Sequence, residues 1–257
     1  MTKPEWRVVV SPFRFPFLVF WRLRPTFRHC LCVFMEAKKT GKMPVGPTDK
    51  MSVLLSGMPA IGVTGGISTG KSTFMNCLRQ LFPEATFFDA DVMARELTHQ
   101  DKNVLAGIRK TFGDAVFSEN GELNREALRA IVFGAPEKRR RLEQILHPPI
   151  RRHWSREAEK HCQMNQYFFA DIPLLYETGG EKLCDRVVVV ACSKEIQMRR
   201  LIQRTGLDRN AAEAIISAQM PLSEKVQLAD HVIWNNGPEG LLAEQAGFLT
   251  DIWIRNL

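Results

Sequence analysis

The sequence predicts an α/β fold, a parallel five-stranded sheet flanked by helices. Three observations carry this. Short apolar runs at 60–64, 85–88, 167–170, 187–191 and 231–234 are strand-length, and the strongest are continuous rather than alternating, so both faces of the sheet are buried. Between them apolar residues recur at helical spacing. The first run also ends in a glycine-rich turn that opens a helix.

The elements follow in order. Ala60–Thr64 is a strand, and the amphipathic stretch from Lys71 to Phe82 is its helix. A second strand, 85–88, ends at the Asp89-Ala90-Asp91 step. Residues 92–163 have little strand character; Leu105, Ile108 and Phe112, then Leu128, Ile131 and Val132, then Leu142, Ile145 and Leu146 mark helices. Pro136, Pro148 and Pro149 are expected to punctuate them. The block 101–163 is a helical insertion on one edge. Strands return at 167–170 and 187–191, followed by helices at 195–203 and 208–219. His231–Trp234 closes the sheet before Asn235-Asn236-Gly237, and Pro238 opens a last helix.

The chain has 257 residues and a formal net charge of +7, which suggests a nucleic acid or membrane surface as partner. The charge is confined, however. Residues 1–58 hold ten basic and three acidic side chains, whereas the remainder holds 25 of each. The body is neutral, and residues 1–57 are expected to be a basic extension, disordered or preceding the true start, with 58–257 the folded domain. The run from Phe15 to Trp21 contains Pro16 and is far short of the ~20 residues a membrane helix needs. No secretory signal is visible, so the six scattered cysteines read as reduced thiols of a cytoplasmic protein. The histidines form no metal pattern. Lys138-Arg139-Arg140-Arg141, flanked by Glu137 and Glu143, reads as a solvated helix face.

Gly65-Gly66-Ile67-Ser68-Thr69-Gly70-Lys71-Ser72 fits G-x-x-x-x-G-K-[ST] between a strand and a helix. Such a loop wraps a phosphate with successive N–H groups at the positive end of the following helix. Gly65 and Gly70 are expected to supply torsions that a side chain forbids. Lys71 should reach the β/γ-phosphates, and the Ser72 hydroxyl should ligate Mg²⁺. A nucleoside triphosphate is therefore expected. No guanine-reading Asn-Lys-x-Asp follows the strand at 187–191, and about 190 residues leave no room for a motor or transporter ATPase. A kinase for a small acceptor remains.

Seven segments carry a more specific resemblance: TGGISTGKST (64–73), FDADVMARE (88–96), NREALRAIVF (124–133), LEQILHPPIR (142–151), DIPLLYETG (171–179), DRVVVVACSKEIQMRRLIQR (185–204) and ADHVIWNNG (229–237). In order and spacing they resemble the dephospho-coenzyme A kinase family from about Ala60 to Leu257. Ser68, where the family usually has Gly or Ala, and Ile215, where many relatives carry an arginine in the lid, depart from the pattern.

The resemblance implies a P-loop kinase fold with a helical acceptor-binding insertion at about 101–163 and a lid at about 199–220. It also implies ATP-dependent phosphorylation of the ribose 3′-hydroxyl of dephospho-coenzyme A with Mg²⁺. Asp91, at the carboxyl edge of the sheet, is the candidate general base; the competing reading is that it only caps the following helix. Asp89 would hold the turn or a metal-bound water. Arg95, one turn after Asp91, is a candidate for the acceptor's phosphate or ribose, and His147, Leu174, Leu175 and Glu177 match segments lining the acceptor pocket. Asp171 ends its strand as a Walker B acid does. Arg204 is the candidate cation for the transferring phosphoryl group, ahead of Arg199, Arg200 and Arg209. With the loop residues 65–72 and Thr73, Asn235 and Asn236 complete the expected nucleotide site. Neither nucleic acid nor membrane is expected as partner, and a monomer or weak homo-oligomer is. The alternatives are another nucleoside or nucleotide kinase, and an NTP-regulated binder acting through the basic tail.

Overall fold

The computed structural model describes Val8–Val10 and residues 60–255, apart from Gly134 and Asn165. The strands are β1 (Val8–Val10), β2 (Ala60–Gly65), β3 (Thr86–Asp89), β4 (Phe168–Asp171), β5 (Arg186–Ala191) and β6 (His231–Trp234). All ladders are parallel, in the order β1-β6-β5-β2-β4-β3. The five expected strands are present within a residue or so of their expected bounds. The three valines of β1, a residue type suited to a pleated sheet, add a sixth strand beside β6. The rest of residues 1–57, on which the expectation of disorder or a mis-assigned start falls, lies outside the described residues, as does the possible start at Met58.

The continuous valines of β5 are explained by two covered faces. Val188 and Val190 join Ile61, Val63 and Phe169 in a core closed by helices α1 (Lys71–Leu81) and α9 (Glu239–Arg255). Val187, Val189 and Ala191 face the opposite way, with Phe168, Ala170 and Trp154. This period of two, buried on both sides, hides the alternation a one-faced sheet would show.

Between β3 and β4 run α2 (Ala90–Gln100), α3 (Lys102–Phe112), α4 (Arg125–Phe133) and α5 (Pro136–Gln163). They enclose an apolar cluster of their own around Leu97, Val104, Ile108, Val116 and Leu128. The expected breaks at Pro148 and Pro149 do not occur: α5 runs through both for 28 residues. Each proline removes a backbone donor and crowds the preceding turn. Packing overrides that cost, because Leu142, Ile145 and Leu146 pack on the insertion cluster while Ile150, Trp154 and Ala158 reach the sheet. Pro136 sits at the first helical position, where proline is tolerated.

After β5 come α6 (Lys194–Thr205), α7 (Arg209–Ser217) and the seven-residue α8 (Leu222–Leu228), which the periodicity did not show. Met198, Leu201 and Ala212 form a small core here, and Ile67, Ile202, Ile215 and Ile216 pack against it. Ile215 thus serves the packing of this helical pair. Among the described residues no helix is long and apolar enough to cross a membrane.

Candidate active site

All parallel strands end at one edge, so Gly65, Asp89, Asp171, Ala191 and Trp234 close the sheet on the same side. The chain leaves β2 and returns on β3, skipping the position that β4 fills, and such a switch opens a crevice at the carboxyl edge. The phosphate loop and the acidic residues meet there.

The loop is held by identifiable contacts. Gly70, the N-cap of α1, has φ 95°, and a Cβ there would lie 2.0 Å from Asn235 Nδ2. Only glycine satisfies both conditions. Gly65 is required for a different reason than expected: its φ is not positive, but a Cβ would come within 2.5 Å of the Val190 carbonyl oxygen and 2.8 Å of Thr69 Oγ1. The non-glycine residue of this loop in the left-handed region is Ser68, at φ 59°, and its buried hydroxyl makes no hydrogen bond. Thr69 is fully buried and donates from Oγ1 to the Gly66 carbonyl at 2.9 Å. Ile67 is gripped at both backbone groups: its N–H donates to Gln219 Oε1 at 3.0 Å, and its carbonyl accepts from Gln197 Nε2 at 2.9 Å.

Lys71 Nζ donates to Asp171 Oδ1 in a close ion pair. Asp171 is 5% exposed. Burial pushes its carboxyl above the usual carboxylate range; Lys71 pulls it back, while Asp89 and Asp91 push it up again. These three acids therefore share one electrostatic neighbourhood, with Asp89 directly opposite Asp171 in the β3–β4 register. The helix-capping role belongs to Asp89, whose Oδ1 accepts the amides of Asp91 at 2.9 Å and Val92 at 3.0 Å. Asp91 stands in the first turn of α2 with its side chain exposed.

Other expected site residues divide into exposed and structural ones. Arg95 is exposed on α2, and its carbonyl accepts from Arg125 Nη2 at 2.6 Å. His147 is half-buried on α5; burial pushes its pKa down and Glu143 opposes this. Leu174 is half-buried, but Leu175 is 0% exposed and packs with Trp154 and against Gly62 and Gly180. With no accessible surface, Leu175 supports the 173–177 loop from below rather than lining a pocket. Glu177 Oε1 meets Lys225 Nζ at 2.8 Å and accepts the Met220 amide at 3.0 Å.

Arg204 is exposed in the last turn of α6, whereas Arg200 donates to the Asn235 carbonyl at 3.0 Å. Asn235 is 8% exposed and uses its amide on the Thr69 carbonyl, 2.9 Å away. The Asn236 side chain accepts the Ser193 amide at 2.8 Å. In this structure the asparagine pair braces the phosphate loop and the end of β5. Ser72 is exposed at the start of α1, with Thr73 half-buried beside it.

Three residues escaped sequence reasoning: Gln197, Gln219 and Lys225. Lys225 did leave a signal. It lies three residues after Leu222 and one before Val226, both partly buried, so it interrupts an apolar helix face. Its side chain is 0% exposed.

Among the described residues no group of three or more His, Cys, Asp and Glu could hold a metal ion. Mg²⁺ keeps its waters and takes one or two protein oxygens plus substrate phosphates rather than a full cage. The Ser72 hydroxyl and the Asp171 carboxylate are hard oxygen donors of the right kind.

The chain is similar to known proteins over most of its length. A family model described as dephospho-CoA kinase matches residues 59–239. A dephospho-CoA kinase of Anaeromyxobacter dehalogenans is 44% identical over 197 residues, covering 76% of this chain and 92% of the relative. One from Bacillus anthracis is 42% identical over 178 residues, covering 69% and 88%. Among solved structures, one from Thermus thermophilus superposes with a TM-score of 0.62 at 33% identity, covering 76% of this chain and 98% of that one. A dephospho-CoA kinase from Campylobacter jejuni gives 0.55 at 28%, covering 76% and 97%.

Proposed function

The chain belongs to the dephospho-CoA kinase family, and from that premise we propose how its residues divide the work of moving a phosphoryl group from ATP to dephospho-CoA, a step of coenzyme A biosynthesis. The observation that carries the assignment is the meeting of Lys71, in the phosphate loop, with the strand-end acids Asp171, Asp89 and Asp91.

The amides of the loop 65–72, except those of Ile67 and Thr69, which donate to Gln219 and to the Gly66 carbonyl, and the positive end of α1 hold the β- and γ-phosphates. Lys71 exchanges its partner Asp171 for phosphate oxygens and neutralises charge on the transferring group. The acceptor's ribose 3′-hydroxyl attacks the γ-phosphorus; the new O–P bond forms as the bond to the β-phosphate oxygen breaks, releasing ADP. Asp91, exposed because Asp89 performs the capping, takes the hydroxyl proton. Arg204 supplies further positive charge when the lid segment at about 199–220 folds over the phosphates. Ser72 and Asp171 would hold Mg²⁺, which when bound offsets charge on the phosphates.

Arg95, His147, Leu174 and Glu177 border the acceptor side, and the helical block 101–163 forms its wall. Asn235 and Asn236 act beside the nucleotide through the loop they brace. Residues 58–257 suffice for activity, in the cytoplasm, as a monomer or weak homo-oligomer.

The test is ADP release by a protein beginning at Met58, with dephospho-CoA against a panel of nucleosides and nucleoside monophosphates. Acceptor-dependent turnover with dephospho-CoA is expected. Turnover only with another acceptor overturns the substrate assignment.

A further inference from the structure

A fully buried lysine ties together three segments that come from distant parts of the chain. Lys225 Nζ donates to the Pro173 carbonyl at 2.9 Å, pairs with Glu177 Oε1 at 2.8 Å, and lies 3.5 Å from the Gly65 carbonyl. Gly65 opens the phosphate loop; Pro173 and Glu177 begin and end the loop after β4. Thr64, next to Gly65, donates to the same Pro173 carbonyl at 3.0 Å. The segment leading into α8 repeats the pattern. Gln219 accepts from Ile67 N–H in the phosphate loop, and its neighbour Met220 donates to Glu177. Ile67 also packs its side chain on the apolar cluster shared by α6 and α7.

A lysine without accessible surface is rare unless its charge is compensated. Here the compensating groups belong to the two loops that the proposed function gives to the nucleotide and the acceptor. We infer that Lys225 is a positioning residue that couples the two substrate sites, with Gln219 as its companion on the phosphate loop. A phosphate gripped by the loop fixes Gly65 and Ile67. The Lys225 ammonium transmits that fixing to Pro173 and Glu177, so the acceptor meets a loop already in place. The coupling is reciprocal, as linkage requires.

This inference rests on the dephospho-CoA kinase reading, and its test separates the two. Calorimetry gives the Kd of dephospho-CoA with and without a non-hydrolysable ATP analogue, and turnover of dephospho-CoA by the wild type is measured alongside. The wild type should bind the acceptor at least about fivefold tighter with the analogue present. In Lys225→Met the ratio should fall to about one, whatever the change in melting temperature, because a merely structural role does not alter a ratio of affinities. Glu177→Gln, which keeps an acceptor for the Met220 amide but removes the ion pair, should lower the ratio at least about twofold; it decides alone if Lys225→Met does not fold. A wild-type ratio of one, or an unchanged ratio in either folded variant, overturns the coupling. Absence of wild-type turnover with dephospho-CoA instead overturns the functional reading.

Discussion

Asp89 caps the helix on which Asp91 stands: one carboxylate oxygen of Asp89 accepts both the Asp91 and the Val92 amides, while the Asp91 side chain is exposed. In the proposed mechanism, structural and chemical duties are split between acids two residues apart. Asp91→Asn should lower kcat by about 10²–10⁴ with little change in melting temperature. Asp89→Ala should cost about 1 kcal/mol of stability. Steady-state rates and thermal melts on both variants check this. Wild-type turnover by Asp91→Asn would remove it as the base.

Ser68 is a side chain held where glycine is comfortable. At φ 59°, with a buried hydroxyl that makes no hydrogen bond, it carries both a backbone strain and a desolvation cost. Ser68→Gly should stabilise the empty enzyme by about 1 kcal/mol after allowing for glycine's extra unfolded freedom, a rise of about 2–4 °C in Tm. Calorimetric melting without nucleotide checks it; a lower Tm would contradict it.

Gly70 presents the opposite case. Its φ of 95° and the Asn235 amide beside it leave no place for a methyl group. Gly70→Ala should raise KM for ATP at least about tenfold, because the loop must shift away from its phosphate-binding shape and a side chain in that backbone region costs about 1–3 kcal/mol. Asn235→Ala should weaken ATP binding less, removing the brace on Thr69 without forcing the loop to move. Nucleotide titrations on both variants rank the two effects.

His231 makes stability depend on pH. Burial, with a smaller contribution from Arg186, lowers its pKa to about 3, and Trp253 Nε1 donates to its Nε2 at 3.3 Å. The ordinary value is 6.5. Since the unfolded chain takes up the proton first, this contribution is intact above pH 6.5 and is lost progressively as pH falls toward 3. The expected loss is up to about 1.4 kcal/mol per pH unit. His231→Gln, which keeps an acceptor for Trp253, should flatten the slope between pH 6.5 and 5. Urea denaturation at several pH values measures it.

The sheet was legible because its strands declare themselves one at a time: Val187–Val190 needs no partner to read as buried. The phosphate loop was equally local, eight residues at fixed spacing. What stayed hidden depends on distant neighbours. Pro148 and Pro149 read as breaks until the two cores that α5 spans are known. The bond from Asn235 to Thr69 and the clustering of Leu175 with Trp154 likewise join residues far apart in the sequence. Lys225 shows in the sequence only as a break in an apolar helix face; its partners lie 48 to 160 residues earlier, so its role does not show there.

The placement of β2 bears on how the molecule is made. It is the strand from which the phosphate loop springs, yet its neighbours in the sheet are β4 and β5, and its first amide is held by Asp185, 125 residues downstream. A growing chain therefore carries β2 unpaired past the whole helical block until residues 168–191 leave the ribosome, and the loop gains its braces from Gln197, Gln219 and Asn235 later still. The insertion helices, with their separate apolar cluster, can collapse in the meantime. Nucleotide binding is thus a late event in the life of the nascent chain, and a chain cut short before β5 would present the glycine-rich motif intact and bind no ATP.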